Sequence, residues 1–377
     1  MRFRIGVALV LFAVALACRP GVVVAVEPAA DAAAVPLRAK IGQMILIGFR
    51  GSSPDAPWVR TVLRQISDGE VGGVMLLGHN VKDKASAEAL NAALKAANPV
   101  LPPLIAVDQE GGRIERLTAA AGFEEVPSAR DVARTMSAAK AFETYSGLAS
   151  DLAGWGFNLN LGPVVDLNVN PDNPIIGRLD RSFSADAKLV GDYADAFVRA
   201  HRRHGVLTAL KHFPGHGSSV ADSHRTLADV SATWSDWELT PYRTLIACGD
   251  VDMVMVGHIF ARTLDPAGQP RPASLSPEVI GGVLRGQLGF AGVVISDDLQ
   301  MDAVAENYTF DEAVVQAVRA GNNVLTFANY EEPDIDLPGK VIAALEKAAA
   351  TDPQVRANID RSYDLIVALK ARLPKEP

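Results

Sequence analysis

Three of the chain's seven histidines stand within one fourteen-residue stretch, KHFPGHGSSVADSH (Lys211 to His224), broken by Gly215 and Gly217 and closed by Asp222-Ser223-His224. Three chemistries could use such a stretch. A zinc site would draw on His212, His216, Asp222 and His224, since imidazole and carboxylate are ordinary ligands. The spacing is not the H-x-x-x-H of a helix face, however, and the intervening GSSVA has nothing to hold ligands rigidly. A phosphate loop wants its lysine after the glycines at a helix start, and Lys211 precedes them. The third chemistry is acid/base work. Lys211 and His212 would be fixed, charge-assisted donors to a polar ligand. Gly215 and Gly217 would free the following segment to move. Asp222 and His224 are two apart, so an extended segment would point both side chains the same way. A carboxylate beside an imidazole sets its tautomer and raises its basicity, which suits proton transfer near neutral pH. This use needs neither metal nor cofactor.

Such groups need a scaffold. Eight short apolar runs recur along the chain: QMILIGF (43–49), GGVMLLG (72–78), PLIAVDQ (103–109), FNLNLGPVVDL (157–167), VLTALKHF (206–213), VDMVMVGHI (251–259), GVVISDD (292–298) and NNVLTFA (322–328). Between them lie stretches of helical period, such as AKLVGDYADAFVRAHRRHG and FDEAVVQAVRAG, several ending in a glycine that suits a helix C-cap. The tail from Pro338 to Leu373 reads as two helices broken near Asp352-Pro353. Runs such as VVIS and VMVG are apolar throughout, as strands covered on both faces are. Alternation of strand and helix eight times predicts an α/β fold, a single (β/α)8 TIM-type barrel over residues 37–377. A doubly wound sheet would advertise a glycine-rich turn after its first strand, and RGSSPDAP is not one.

In a barrel enzyme the chemistry sits at the C-terminal strand ends. There the third run leads into DQEGGRIER (Asp108 to Arg116), the fourth ends at Asp166 before NPDNPIIGRLDRSF, the fifth gives KHFPGHG, the sixth His258 and the seventh SDDLQM (Ser296 to Met301). Each has a bland alternative. An aspartate after a strand is often a helix N-cap, Arg113 and Arg116 could pair with Glu110 or Glu115, and His258 could be a hydrogen-bonded core histidine. Five strand ends of one character are harder to explain that way than any one of them.

The chain opens with Arg2 and Arg4 and the apolar run Ile5 to Ala17, an export-signal pattern too short to span a membrane comfortably. Residues 1–25 are expected to be removed after Val23-Val24-Ala25. The alternative exit, Ala15-Leu16-Ala17 before Cys18, leaves lipid attachment to a membrane at Cys18 open. Residues 26–36, VEPAADAAAVP, read as a linker. The protein is thus expected outside the cytoplasm of a bacterium, periplasmic or lipid-anchored. With Cys18 and Cys248 as its only cysteines, it has no disulfide framework and no thiolate metal cluster. A net charge of -8 and the absence of basic runs exclude nucleic acid as a partner.

KHFPGHG followed by DSH, with SDDLQM, VDQEGGRIERL and NPIIGRLDRSF, closely resembles glycoside hydrolase family 3 in its β-N-acetylglucosaminidase (β-N-acetylhexosaminidase) branch, over Ile41 to Ala328. The resemblance implies a one-domain barrel and a retaining double displacement on a terminal, non-reducing N-acetylglucosamine. It makes Asp297 the nucleophile, turns Asp298 to the other side of the strand, and gives His224 the acid/base role with Asp222 orienting it. Asp108, Arg116, Arg181, Lys211 and His212 would hold the sugar, with Met301 lining the site and His258 nearby. One departure concerns Arg181. The family commonly reads G-x-R-S-F, while Gly177 to Phe183 is two residues longer, so Arg178 competes for the role. The other departure is the export signal, because many members of the branch work in the cytoplasm on recycled cell-wall fragments. The expected substrates are peptidoglycan fragments or chito-oligosaccharides. A family 3 β-glucosidase would carry a second domain with a glutamate acid/base, which the length of this chain does not provide. A histidine acid/base is also compatible with phosphate attack, hence with an N-acetylglucosaminide phosphorylase. A non-catalytic sugar-binding lipoprotein would have no use for a nucleophile and a proton shuttle.

Overall fold

The computed structural model describes residues 35–266 and 270–374, so the expected export signal, Cys18 and most of the linker lie outside the described residues. Each of the eight apolar runs supplies one strand: β1 (Ile45–Gly48), β2 (Gly73–Leu76), β3 (Leu104–Val107), β4 (Leu159–Asn160), β5 (Leu207–Phe213), β6 (Met253–Val256), β7 (Val293–Asp298) and β8 (Val324–Phe327). All neighbours pair in parallel, and β1 pairs with both β2 and β8, which closes the barrel. Helices cover its outside, so the strands are buried on both faces, as their uninterrupted apolar sequences require.

Helix α1 (Leu37–Gln43) enters beneath β1. After the strands come, in turn, α2 (Pro57–Ser67), α3 (Lys84–Ala96), α4 (Ala138–Gly154), α5 (Ala187–Arg203), α6 (Thr240–Cys248), α7 (Glu278–Gln287), α8 (Phe310–Ala320) and α9 (Leu337–Ala349), with α10 (Pro353–Lys370) closing the chain. Local chemistry sets their ends. Asp83 caps α3 through the Ser86 amide at 2.8 Å, and Thr309 and Glu312 form a reciprocal capping box on α8. Such caps contribute about 1 kcal/mol each. Gly249 and Gly321 end α6 and α8 with φ of 76° and 109°, a conformation that favours glycine. Asp352 caps α10 and Pro353 starts it, which places the predicted break in the tail.

Three local expectations need correction. The run 157–167 gives only a two-residue strand, because Pro163 follows it and proline cannot donate to a ladder. The segment at α6 begins with a tighter turn, Asp236–Leu239, and α7 is a wide-turned helix with i→i+5 bonding. A short helix, Ala129–Thr135, precedes α4 without a sequence expectation behind it.

Candidate active site

The loops after the strands surround a cavity of about 620 Å³ at the C-terminal mouth of the barrel. Asp108, Arg116, Arg181, Lys211, His212, His224, Asp297 and Met301 all line it. Asp222, the remaining predicted site residue, sits behind His224.

The floor is a buried charge cluster. Lys211 Nζ, at the end of β5, lies 2.8 Å from Asp108 Oδ1 and 2.6 Å from Glu110 Oε1. Arg181 places Nε and Nη2 on the two Glu110 oxygens, each at 2.8 Å, and donates through Nη1 to the Ile175 carbonyl. Arg116 meets Asp108, at 3.5 Å, instead of Glu110 or Glu115. Burial alone would raise both carboxyls. The Arg181 and Lys211 charges hold Glu110 well below its ordinary range, and Lys211 and Arg116 do the same for Asp108. The cluster is therefore fully ionised and fixed, with three cations against two carboxylates. Arg178, by contrast, is 64% exposed and faces Asp172, so the longer GRLDRSF segment brings Arg181 and not Arg178 to the cavity. Glu110 itself was not expected to be a site residue. Its signal was its place two residues after Asp108 at a strand end, where alternate residues share a side.

A second unexpected residue orients His212. Asp166 accepts from His212 Nδ1 at 2.7 Å, from the His212 amide at 3.2 Å and from the His216 amide at 2.7 Å. Burial would raise this carboxyl, but the His212 imidazole beside it keeps it low. With Nδ1 occupied, His212 keeps Nε2 available, 3.5 Å from Arg181 Nη2.

The loop beyond β5 departs from expectation in two ways. Gly215 and Gly217 are buried, and each has a packing reason. Gly215 has φ 121°, and a Cβ on Gly217 would fall 1.7 Å from the Leu167 carbonyl oxygen. They fit the loop against its neighbours, so mobility is not needed to explain them. Glu238 supports the same stretch by accepting from the Gly217 amide at 3.1 Å, and Asn173 Nδ2 donates to the His216 carbonyl at 2.7 Å. Asp222 and His224 do meet, although not in an extended segment. Asp222 Oδ1 accepts from the His224 amide at 2.9 Å and from Nδ1 at 2.7 Å, while its carbonyl accepts the amides of Arg225 and Thr226. This turn, built on an aspartate side chain, leaves Nε2 as the free nitrogen of a side chain that is 60% exposed. His216 is buried, bonded to Ser223 Oγ at 3.0 Å, and ties the two ends of the loop together. Each of the three histidines thus has a different partner, and among the described residues no group of three His, Cys, Asp or Glu side chains is placed to hold a metal ion.

At the end of β7 two adjacent carboxyls are driven apart. Burial would raise Asp297, but His212, His258 and His224 surround it with positive potential and the Asp298 amide donates to Oδ1 at 2.9 Å, so its pKa falls to about 2. Asp298 is pushed up to about 6 by burial and by the Asp297 charge, against the amides of Gln300 and Ala328 that it accepts. His258 Nε2 donates to the Asp298 carbonyl at 2.7 Å, and its Nδ1 is hydrogen-bonded with Ser274 Oγ at 2.7 Å. The cavity thus offers an ionised carboxylate on one wall and a carboxylate-paired imidazole on another, above a floor of fixed charges. That is the equipment for nucleophilic displacement at a polar carbon with proton transfer to the leaving group.

The model of the glycosyl hydrolase family 3 N terminal domain matches residues 36–365. The chain belongs to glycoside hydrolase family 3. Among curated family relatives, "Beta-hexosaminidase LpqI" of Mycobacterium tuberculosis is 33% identical over 92% of this chain and 86% of its own length. "Beta-hexosaminidase A" of Pseudoalteromonas piscicida is 31% identical over 92% of this chain. A solved family 3 β-N-acetylglucosaminidase from Paenibacillus superposes with a TM-score of 0.82 at 34% identity, covering 90% of this chain. The chain spans 63% of the Pseudoalteromonas protein and 62% of the Paenibacillus one. A β-N-acetylhexosaminidase from Beutenbergia cavernae gives 0.79 at 30% identity, with 89% of this chain and 99% of that one covered. The family match and the superpositions agree with the closed barrel that the sequence predicts.

Proposed function

We propose that the protein is a retaining, exo-acting β-N-acetylglucosaminidase that removes terminal non-reducing N-acetylglucosamine from chito-oligosaccharides or peptidoglycan fragments. The observation that carries this reading is that Asp297, held ionised, and His224, paired through Nδ1 with Asp222, border the same cavity. Relatives named β-hexosaminidases agree with it. In the first step an Asp297 oxygen bonds to the anomeric carbon as the bond to the leaving oxygen breaks, and protonated His224 gives that oxygen its Nε2 proton. In the second, His224 takes a proton from water, which attacks the same carbon and releases Asp297. Proton transfer of this kind contributes about 10²- to 10⁴-fold. Asp108, Arg116, Arg181, Lys211 and His212 hold the sugar hydroxyls and acetamido group, and Met301 packs beside the ring.

Rapid mixing with an aryl N-acetyl-β-glucosaminide should give a burst of the aryl alcohol. Asp297→Ala should remove turnover, and azide should partly restore Asp297→Gly. Wild-type rates in Asp297→Ala would remove Asp297 from the chemistry. Repeating the reaction with inorganic phosphate separates hydrolysis from phosphorolysis through the appearance of a sugar phosphate. The leader of the sequence supports export to the periplasm or a lipid anchor at Cys18, which mass determination of the mature N-terminus tests.

A further inference from the structure

We propose that a second cavity beside His224 is the leaving-group subsite, that Tyr330 is its stacking platform, and that it favours a neutral or amine-bearing amino sugar over one carrying carboxylates. This inference rests on the proton-donor role proposed for His224. A proton donor touches the oxygen that joins the transferred sugar to its leaving group, so a cavity that adjoins the first at the donor is where the leaving group goes. A cavity of about 750 Å³ meets that condition, sharing His224, Asp298, Met301, Ala328 and Tyr330 with the first.

Tyr330 stands at the junction of the two and is 50% exposed, unusual for a ring of its size in this chain. It is not loose. The Arg50 guanidinium lies 4.8 Å from its ring centroid and donates to its carbonyl at 2.5 Å, and the His79 ring is 5.7 Å away. A half-exposed aromatic face fixed at the mouth suits the C–H face of a pyranose, which buries apolar area there at little cost in side-chain entropy. Phe310 and Phe327, 6.1 Å apart, give the cavity an apolar floor. Its rim is acidic. Asp302, Glu331 and Glu332 are exposed on it, against Arg225 on the rim and Arg50 behind the Tyr330 ring. That potential draws an amine and opposes a carboxylate. The occupant that fits is a β-linked glucosamine or N-acetylglucosamine, as in chitin and its partly deacetylated forms. A sugar bearing a lactyl group and an acidic peptide brings carboxylates to an acidic rim.

The test measures kcat/KM on N-acetyl-β-glucosaminyl fluoride, whose leaving group fills no subsite, and on diacetylchitobiose. Two further disaccharides end in glucosamine or in N-acetylmuramic acid. Tyr330→Ala should lower the ratio of chitobiose to fluoride about tenfold. Glu331→Gln/Glu332→Gln should shrink the preference for the amine over the carboxylate disaccharide about threefold to fivefold. A chitobiose-to-fluoride ratio that Tyr330→Ala leaves unchanged overturns the platform, and a charge preference indifferent to the glutamates overturns the selection. A wild-type protein inert to all four compounds would overturn the proposed activity and this inference with it, so the two failures are told apart.

Discussion

Asp166 grips His212 twice, accepting its Nδ1 at 2.7 Å and its backbone amide at 3.2 Å, and reaches on to the His216 amide at 2.7 Å. One buried carboxylate therefore sets both the ring of a histidine proposed to bind the sugar and the start of the loop that leads to Asp222 and His224. An amide in its place would turn an N–H toward donors. Asp166→Asn should lower kcat/KM about tenfold to a hundredfold, on activated and unactivated substrates alike, since a hydrogen bond to a charged group is worth about 1.5–3 kcal/mol. Steady-state kinetics on both substrate types checks this, and values within twofold of wild type would remove the orienting role.

The Arg181–Glu110 pair gives a different signature. Both side chains are nearly inaccessible, and Glu110 is also bonded by Lys211. Arg181→Met strips Glu110 of the guanidinium that bonds both of its oxygens in a dry site, with a cost of about 3 kcal/mol in stability. Adding Glu110→Gln should return part of that stability while hydrolysis stays lost, because the guanidinium proposed to hold the sugar is still missing. Urea unfolding of the single and double variants reads the coupling; additive losses would mean that the pair is not coupled.

What the sequence made legible follows from what is local. Strand ends, helix caps and the Asp-Ser-His triplet are short-range patterns, and they led to the barrel and to Lys211 and His212, while Asp297 was singled out from its neighbour by the family resemblance. Asp166 was indistinguishable from a helix N-cap because its partner His212 lies 46 residues on. Glu110 was obscure for the same reason, its guanidinium being 71 residues away. The Asp222–His224 contact was expected from an alternating strand and comes instead from an aspartate-capped turn, since both geometries bring residues two apart together. Gly217 read as a source of loop mobility, and its packing reason was not readable. The backbone it must clear, at Leu167, is brought there only by closure of the barrel.

Glu238, beneath the loop, should make stability depend on pH. Burial pushes its carboxyl up from 4.5 to about 7, with Asp166 adding to the rise and the amides of Gly217 and Ser218 and the Ser218 side chain opposing it. A carboxyl whose folded pKa is raised binds its proton more tightly when folded, so the penalty is absent below the unfolded value, grows from about pH 4.5 to 7 and is complete above that. Glu238→Gln should therefore match wild type near pH 4 and be more stable above pH 7, by about 3 kcal/mol at most. Thermal unfolding across that range is the measurement. A constant difference at all pH values would show that the glutamate is not the titrating group.

His224 has the least enclosed side chain of the proposed catalytic groups, with its amide and Nδ1 bonded to Asp222, its carbonyl bonded by the Asp302 amide and the rest of the ring open to the cavity. Its removal takes away the proposed proton donor without disturbing the charged floor that is proposed to bind the sugar. The loss should then follow the leaving group's need for a proton. His224→Ala should cut kcat/KM on diacetylchitobiose by about 10²- to 10⁴-fold, whereas a dinitrophenyl glycoside, whose alcohol leaves unprotonated, should lose less than tenfold in its glycosylation step. Asp222→Asn should fall between the two, because the imidazole remains but its tautomer is no longer fixed. Rates across a series of aryl leaving groups measure this as a steeper dependence on leaving-group acidity in the variant. Equal losses along the series would mean that His224 positions the substrate instead of supplying the proton, and the acid/base role would then have to pass to another group bordering the cavity, such as Asp298, whose carboxyl is raised to about 6.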